Sequence, residues 1–389
     1  SFLPLCACFF LVFFPLVDTE WGLFLWLAIF TIVARTLMSL YHVPHIAVGA
    51  EITEDIRDRT ALVAYRQFFG NIGYLFGLIV FFLVFSPLMG EGVGRFNPGA
   101  YEPWALCCAF VMAATIFWSA WGTRSVIPFL PRVPKQPATA LRLLAVRLIK
   151  DFKDVTLNRN FRFLFTGVLV VYIMVGVTNT LDIYMITYFW ELDDSIVLPV
   201  LIAYAIGNAL GTTVSVRLFH RWGKKRCLIV GGFSWAFFQT LPVVLRLLGW
   251  FPGNNDVISV GPIEMNFVML LLVTMKLIQG FSTAQANVGY GSMMADVCDE
   301  HEYQTGRRQE GAFFAAVAFS AKATSGFGAV VAGWALEIIN WPTGPEIRTA
   351  ADVPPETLLN MGLFYGPMIA SLGFISVLFY ICLLYTSPS

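Results

Sequence analysis

Runs of roughly 20 apolar residues, the length an α-helix needs to cross a hydrocarbon core of about 30 Å, recur from one end of this chain to the other. No water reaches the backbone inside such a core. Each amide must therefore find its partner within its own segment, so a repeated run of this length restricts the chain to a bundle of membrane helices. The runs fall near residues 1–17, 21–49, 62–86, 104–123, 163–190, 196–219, 227–249, 265–293, 312–339 and 359–385. Composition points the same way: 57% of residues are hydrophobic and 13% charged, with a mean hydropathy of +0.70, whereas soluble domains are about 25% charged. The expected fold is an all-α membrane protein with about ten spans.

Lysine plus arginine equals aspartate plus glutamate at 25 each, so net charge points to no nucleic-acid partner. The distribution of charge says more. A polar segment from Arg124 to Arg162 holds nine basic residues together with Pro128, Pro131, Pro134 and Pro137, and reads as a linker. Basic residues cluster in alternate loops: Arg57, Arg59 and Arg66; the linker; Arg217, Arg221, Lys224, Lys225 and Arg226; Arg307 and Arg308. The intervening loops carry Arg95, Arg246 and Arg348. The excess of positive charge on the inner side of membranes puts the linker and the charged loops in the cytoplasm and the chain in a plasma or inner membrane. The linker separates a half over 1–123 from a half over 163–389. With four spans before it and six after it, a 6+6 architecture lacking its first two helices is expected, since transporters are commonly built from two related halves.

Ionisable groups at membrane depth face a bundle interior or a polar path more often than lipid. Arg35, His42 and Asn287, Tyr290 are candidates on two polar stripes. Arg35, Ser39, His42, Ile46 and Gly49 share one helical face, as do Lys276, Gly280, Thr283, Asn287 and Tyr290. Pro44 is expected to kink the first of these helices. Lys322 is flanked on its face by small residues and needs a counter-charge from another helix, for which Asp182 is the candidate. The seven cysteines form no CxxC or CxxH pair, so they read as packing residues and no metal site or cofactor is expected. The chain also lacks HExxH, GxSxG and P-loop patterns, which argues against an enzyme.

Two loops share one organisation: an acidic helix end, a cluster of both signs and a Gly-containing helix start. They are VPHIAVGAEITEDIRDRTALVAYRQFFG and MMADVCDEHEYQTGRRQEGAFFAAVAFSAK, the second overlapping a stretch, Gly289 to Gly311, that reads as a charged hinge between two membrane helices. Both resemble the signature loops of the glycoside-pentoside-hexuronide:cation symporter family of the major facilitator superfamily, and HRWGKKR at His220 to Arg226 is similar to a basic turn of that superfamily. The resemblance implies alternating access, with Na⁺ or H⁺ driving uptake of a small solute, a sugar, glycoside or uronide. It implies cytoplasmic gates at Glu51, Asp55 and Arg59 and at Asp296, Asp299, Glu302, Arg307, Arg308 and Glu310. Lys322 matches a lysine the family places on its eleventh helix, and Arg66 lies one position from a sugar-contacting arginine. His42 stands where a sugar-binding aspartate is found, which points away from a simple galactoside toward a uronide, another glycoside, or a non-sugar solute or lipid.

Overall fold

The computed structural model describes residues 2–51, 56–88, 97–125, 128, 150, 152–254, 256–260, 263–306, 309–344, 347 and 349–383. The chain divides into two compact units, Ser1–Pro137 and Ala138–Ser389. In the first, α1 covers Phe2–Phe13, α2 Glu20–Glu51, α3 Ile56–Val80 with a wider π turn at Phe81–Phe85 and a last turn to Leu88, and α4 Pro98–Thr123. In the second, α5 covers Arg159–Tyr184 and ends in a π turn at Met185–Phe189, α6 covers Asp194–Trp222 and α7 Lys224–Leu247. An antiparallel hairpin of β1 (Val257–Val260) and β2 (Ile263–Asn266) precedes α8, Phe267–Thr305. Then come α9, Glu310–Ile338, and α10, which runs Pro355–Leu363, through a π turn at Phe364–Met368, to Ile369–Ile381. Among the described residues nine helices are long and apolar enough to cross a membrane, making this a multi-pass membrane protein; α1 is shorter.

Helix starts follow the sequence. Asn97, Asn158 and Asn266 each place a side-chain oxygen on a backbone N–H of the first turn, at α4, α5 and α8. Pro98, whose missing N–H costs nothing there, follows the first of these caps. Gly223, at φ 81°, joins α6 directly to α7, and Gly306, at φ 68°, closes α8.

That last boundary corrects one expectation. The stretch from Gly289 to Gly311 does not open as a hinge at its start, because α8 continues to Thr305. Met293, Met294, Val297, Cys298 and His301 are buried at spacings of one, three, one and three, an apolar stripe continuing under the charged face. The stripe joins a core of Val155, Phe161, Leu164, Leu228, Phe313 and Tyr380, which gathers α5, α7, α8, α9 and α10 at one end of the unit. α2 likewise runs unbroken through Pro44 to Glu51.

α6 and α8 approach closely enough that their backbones touch. A side-chain carbon at Gly280 would overlap the carbonyl oxygen of Tyr204, and one at Gly207 would overlap that of Leu277. With no hydrophobic drive between helices in lipid, such backbone contact is what holds them. Gly280, expected to belong to a polar stripe, therefore serves as the contact point with α6. In the first unit aromatic edges do this work: Trp104 packs edge-on against Phe13 at 5.3 Å and Phe81 at 5.7 Å, and donates its indole N–H to the Gly77 carbonyl at 3.0 Å.

Replacing Gly280 with leucine is expected to destabilise the second unit by about 1–3 kcal/mol, the cost of overpacking. A thermal unfolding midpoint unchanged in detergent solution would show that the seam is not needed.

Candidate functional site

The second unit holds a partly open cavity of ≈ 230 Å³ walled by α5, α6, α7, α8 and α10. Tyr172 of α5, Tyr204 of α6, Trp235 of α7 and Tyr290 of α8 supply aromatic surface, while Thr283 and Asn287 of α8 and Ser376 of α10 supply polar groups. Thr283 donates to the Gln279 carbonyl at 2.9 Å, which leaves its oxygen to accept from the Tyr204 hydroxyl at 3.0 Å. Asn287 is exposed at the cavity wall. The Tyr290 hydroxyl is buried and has no protein partner among the described residues. The expected stripe on α8 thus divides along its length: Thr283, Asn287 and Tyr290 line the cavity, Gly280 meets α6, and Lys276, nearer the helix start, meets Gln239 of α7.

Lys276 belongs to a chain of hydrogen bonds through four helices. Its ammonium donates to Gln239 Oε1 of α7 at 3.5 Å, and Gln279 Nε2 donates to the same oxygen. Gln239 Nε2 donates to the Tyr365 hydroxyl of α10 at 2.6 Å, and Tyr365 donates in turn to Asp182 Oδ1 of α5. Every donor in the chain points from the lysine toward the carboxylate. Tyr365 lies inside the π turn of α10, and the π turn of α5 starts three residues after Asp182. Such turns break the regular ladder and commonly mark functional positions. A smaller cavity of ≈ 40 Å³ adjoins the chain, walled by Trp190, Phe238, Pro242, Met275, Lys276 and Tyr365.

The expected pairing of Asp182 with Lys322 is corrected by helix register. α5 and α9 run side by side in the same direction: Phe161 meets Phe313 edge-on at 4.9 Å, and Gly176 backs onto Gly328. Those contacts set Lys322 level with Val170. Asp182 stands twelve residues further along, about 18 Å at 1.5 Å per residue. Lys322 is exposed, on the side of α9 away from its buried Ala316, Ser320 and Thr324. Gln239, Gln279 and Tyr365 were missed in the sequence. Amides in mid-span are themselves costly in lipid, and the two glutamines were the available signal.

At the end of the unit where α7 starts, Asp296 forms an ion pair with Lys224 at 2.7 Å. Lys225 donates to the carbonyls of Ile381 and Leu383 at 2.9 and 2.7 Å, and Asn160 donates to Glu300 at 2.8 Å. The buried His301 ring shares a 2.9 Å hydrogen bond with Gln309. Asp299 is exposed and Glu302 half-buried. In the first unit Arg35 and His42 are exposed on α2, where His45 stacks on Tyr41 at 5.4 Å. Asp55, Arg307 and Arg308, and the side chains of Glu51, Arg59, Arg66 and Glu310, lie outside the described residues.

Replacing Tyr365 with phenylalanine takes the hydroxyl from between Asp182 and Gln239. Leaving a carboxylate and an amide short of a partner is expected to cost about 1–3 kcal/mol, read as a lowered unfolding midpoint. Gln279→Leu is expected to cost less, because Lys276 still donates to Gln239.

The chain was compared with known proteins. A family model described as MFS/sugar transport protein matches residues 1–386. The inner membrane symporter YicJ of Escherichia coli is similar, 22% identical over 330 residues, a match that covers 84% of this chain and 64% of that relative. The chain therefore spans less than two thirds of the length of the curated relative it matches. With a family match over almost all of its residues, the chain belongs to the MFS/sugar transport protein family.

Proposed function

We propose that this chain is the larger part of a secondary transporter that carries a sugar, glycoside or uronide together with a monovalent cation, Na⁺ or H⁺, by alternating access. The observation that carries this reading is the cavity of the second unit, where the rings of Tyr172, Tyr204, Trp235 and Tyr290 stand beside the polar groups of Thr283 and Asn287. Aromatic faces suit the C–H surface of a sugar ring, and a few placed hydroxyl and amide groups suit its hydroxyls. The relative YicJ is named a symporter, which supports coupling to an ion. Basic loops support an inward-facing position for the linker and for the Lys224–Asp296 end, in an inner or plasma membrane.

In this reading Asp296, with Asp299, Glu302, Arg307, Arg308 and Glu310 near it in sequence, works at an inner gate, and so do Glu51, Asp55 and Arg59. Arg35, His42 and Arg66 are proposed solute contacts from the first unit. Asp182 and Lys322 are proposed coupling groups that act separately, since register keeps them apart. The Lys224–Asp296 pair ties α7 to α8 inside one unit, so part of the gate charge is spent holding the unit's own helices.

In vesicles containing the full-length protein, a labelled glycoside is expected to accumulate against its gradient and to leak back when an ionophore collapses the ion gradient. Equilibration without accumulation would overturn the coupling, and conversion of the label into a new compound would favour an enzyme. Asn287→Ala is expected to raise KM about tenfold, the loss of a pair of neutral hydrogen bonds. Asp296→Asn is expected to change turnover while leaving equilibrium binding of the same glycoside within about twofold, since the exposed end of a partly solvated ion pair contributes little to a distant site.

A further inference from the structure

We infer that the cavity of the second unit is built for an uncharged solute with an apolar face, so that the protein takes a neutral glycoside in preference to the glycuronide of the same aglycone, and that the Tyr290 hydroxyl is a specificity-determining contact. The inference rests on the carbohydrate reading above and narrows it.

The first observation is charge. None of the cavity's walls among the described residues is an aspartate, glutamate, lysine, arginine or histidine. The unit does hold charge at membrane depth, on residues that are not walls of this cavity. Asp182 accepts from Tyr365, Lys276 is directed at Gln239, and Lys322 stands on an exposed face of α9 that is no wall of this cavity. A carboxylate brought against these walls would give up water and meet no cation among them, a cost that a neutral ring avoids; Arg35, His42 and Arg66, the solute contacts proposed from the first unit, then serve as donors to neutral hydroxyls. Much of the wall is also aliphatic, with Val168, Val171, Val175, Leu228 and Ala286 facing the aromatic groups.

The second observation is the hydroxyl of Tyr290. Buried hydroxyls are normally satisfied, and this one has no protein partner among the described residues while lining the cavity. The ring of the same residue packs against the core that holds Met293, Met294, Phe313 and Tyr380. The two parts of the side chain therefore separate in role. The ring supports the fold, and the hydroxyl has its use only toward what enters the cavity.

The test uses the purified full-length protein and two probes, para-nitrophenyl glucoside and para-nitrophenyl glucuronide, with affinity read by calorimetry. The glucoside is expected to bind at least tenfold more tightly. Tyr290→Phe is expected to weaken glucoside binding about tenfold, as the loss of one well-formed hydrogen bond does, with a thermal midpoint in the absence of sugar equal to or above that of the unaltered protein. A residue needed only for packing would instead lose midpoint and keep affinity. As a second measurement, Ala286→Cys places a thiol on the cavity wall. Its labelling by a neutral maleimide, above that of the unaltered chain, is expected to be slowed by the glucoside and untouched by the glucuronide. Equal or tighter binding of the glucuronide overturns the inference while leaving the carbohydrate reading in place. Binding of neither probe overturns both.

Discussion

The second unit depends on a chain of donated protons that leads from Lys276 through Gln239 and Tyr365 to Asp182. A lone carboxylate or ammonium in a hydrocarbon span is expensive, and so is a mid-span glutamine. Linked in one direction, with the cation at the start and the anion at the end, each group meets the requirement of the next. Because the links come from α5, α7, α8 and α10, the chain also fixes those helices at one level. π turns lie beside both of its tyrosine–carboxylate partners, where regular helical geometry gives way.

The larger cavity, by contrast, has no aspartate, glutamate, lysine, arginine or histidine among its described walls. The side chains facing it are rings, aliphatic groups, the Met174 thioether, hydroxyls and one amide. The same helix supplies both environments: α8 presents Lys276 and Gln279 to the network, then Thr283, Asn287 and Tyr290 to the cavity, and Gly280 to the backbone of α6. Close contact at Gly207 and Gly280 holds α6 against α8, so Tyr204 can reach Thr283. Positioning of the site thus follows from backbone packing as much as from polar bonds.

Much of the architecture was legible in the chain because hydrocarbon is an exacting solvent. The length of an apolar run maps onto a span with little ambiguity, and spacing alone put Thr283, Asn287 and Tyr290 together on α8, though it also grouped Gly280 and Lys276 with them. Two kinds of inference failed for identifiable reasons. The charged stretch after Gly289 looks like a loop on composition, yet its buried Met293, Met294, Val297 and Cys298 keep a helical period that average polarity conceals. The pairing of Asp182 with Lys322 matched charge to charge without register, and register is set by where Phe161 meets Phe313 and Gly176 meets Gly328.

Taken alone, the sequence determined a membrane helical bundle and led to the expectation of a basic linker dividing it, with Arg35, His42, Asp182, Lys276, Asn287, Tyr290 and Lys322 as the unusual polar residues of its spans. Those properties are local, since they depend on segment length, hydropathy and helical phase. Only the tertiary structure decided that Tyr365 and Gln239 join Asp182 to Lys276, that Lys224 takes Asp296, and that Tyr290 lines a cavity with no charged wall among the described residues. Each of these depends on the axial offset between helices far apart in the chain. That offset comes from the summed fit of many small contacts, and no single residue states it.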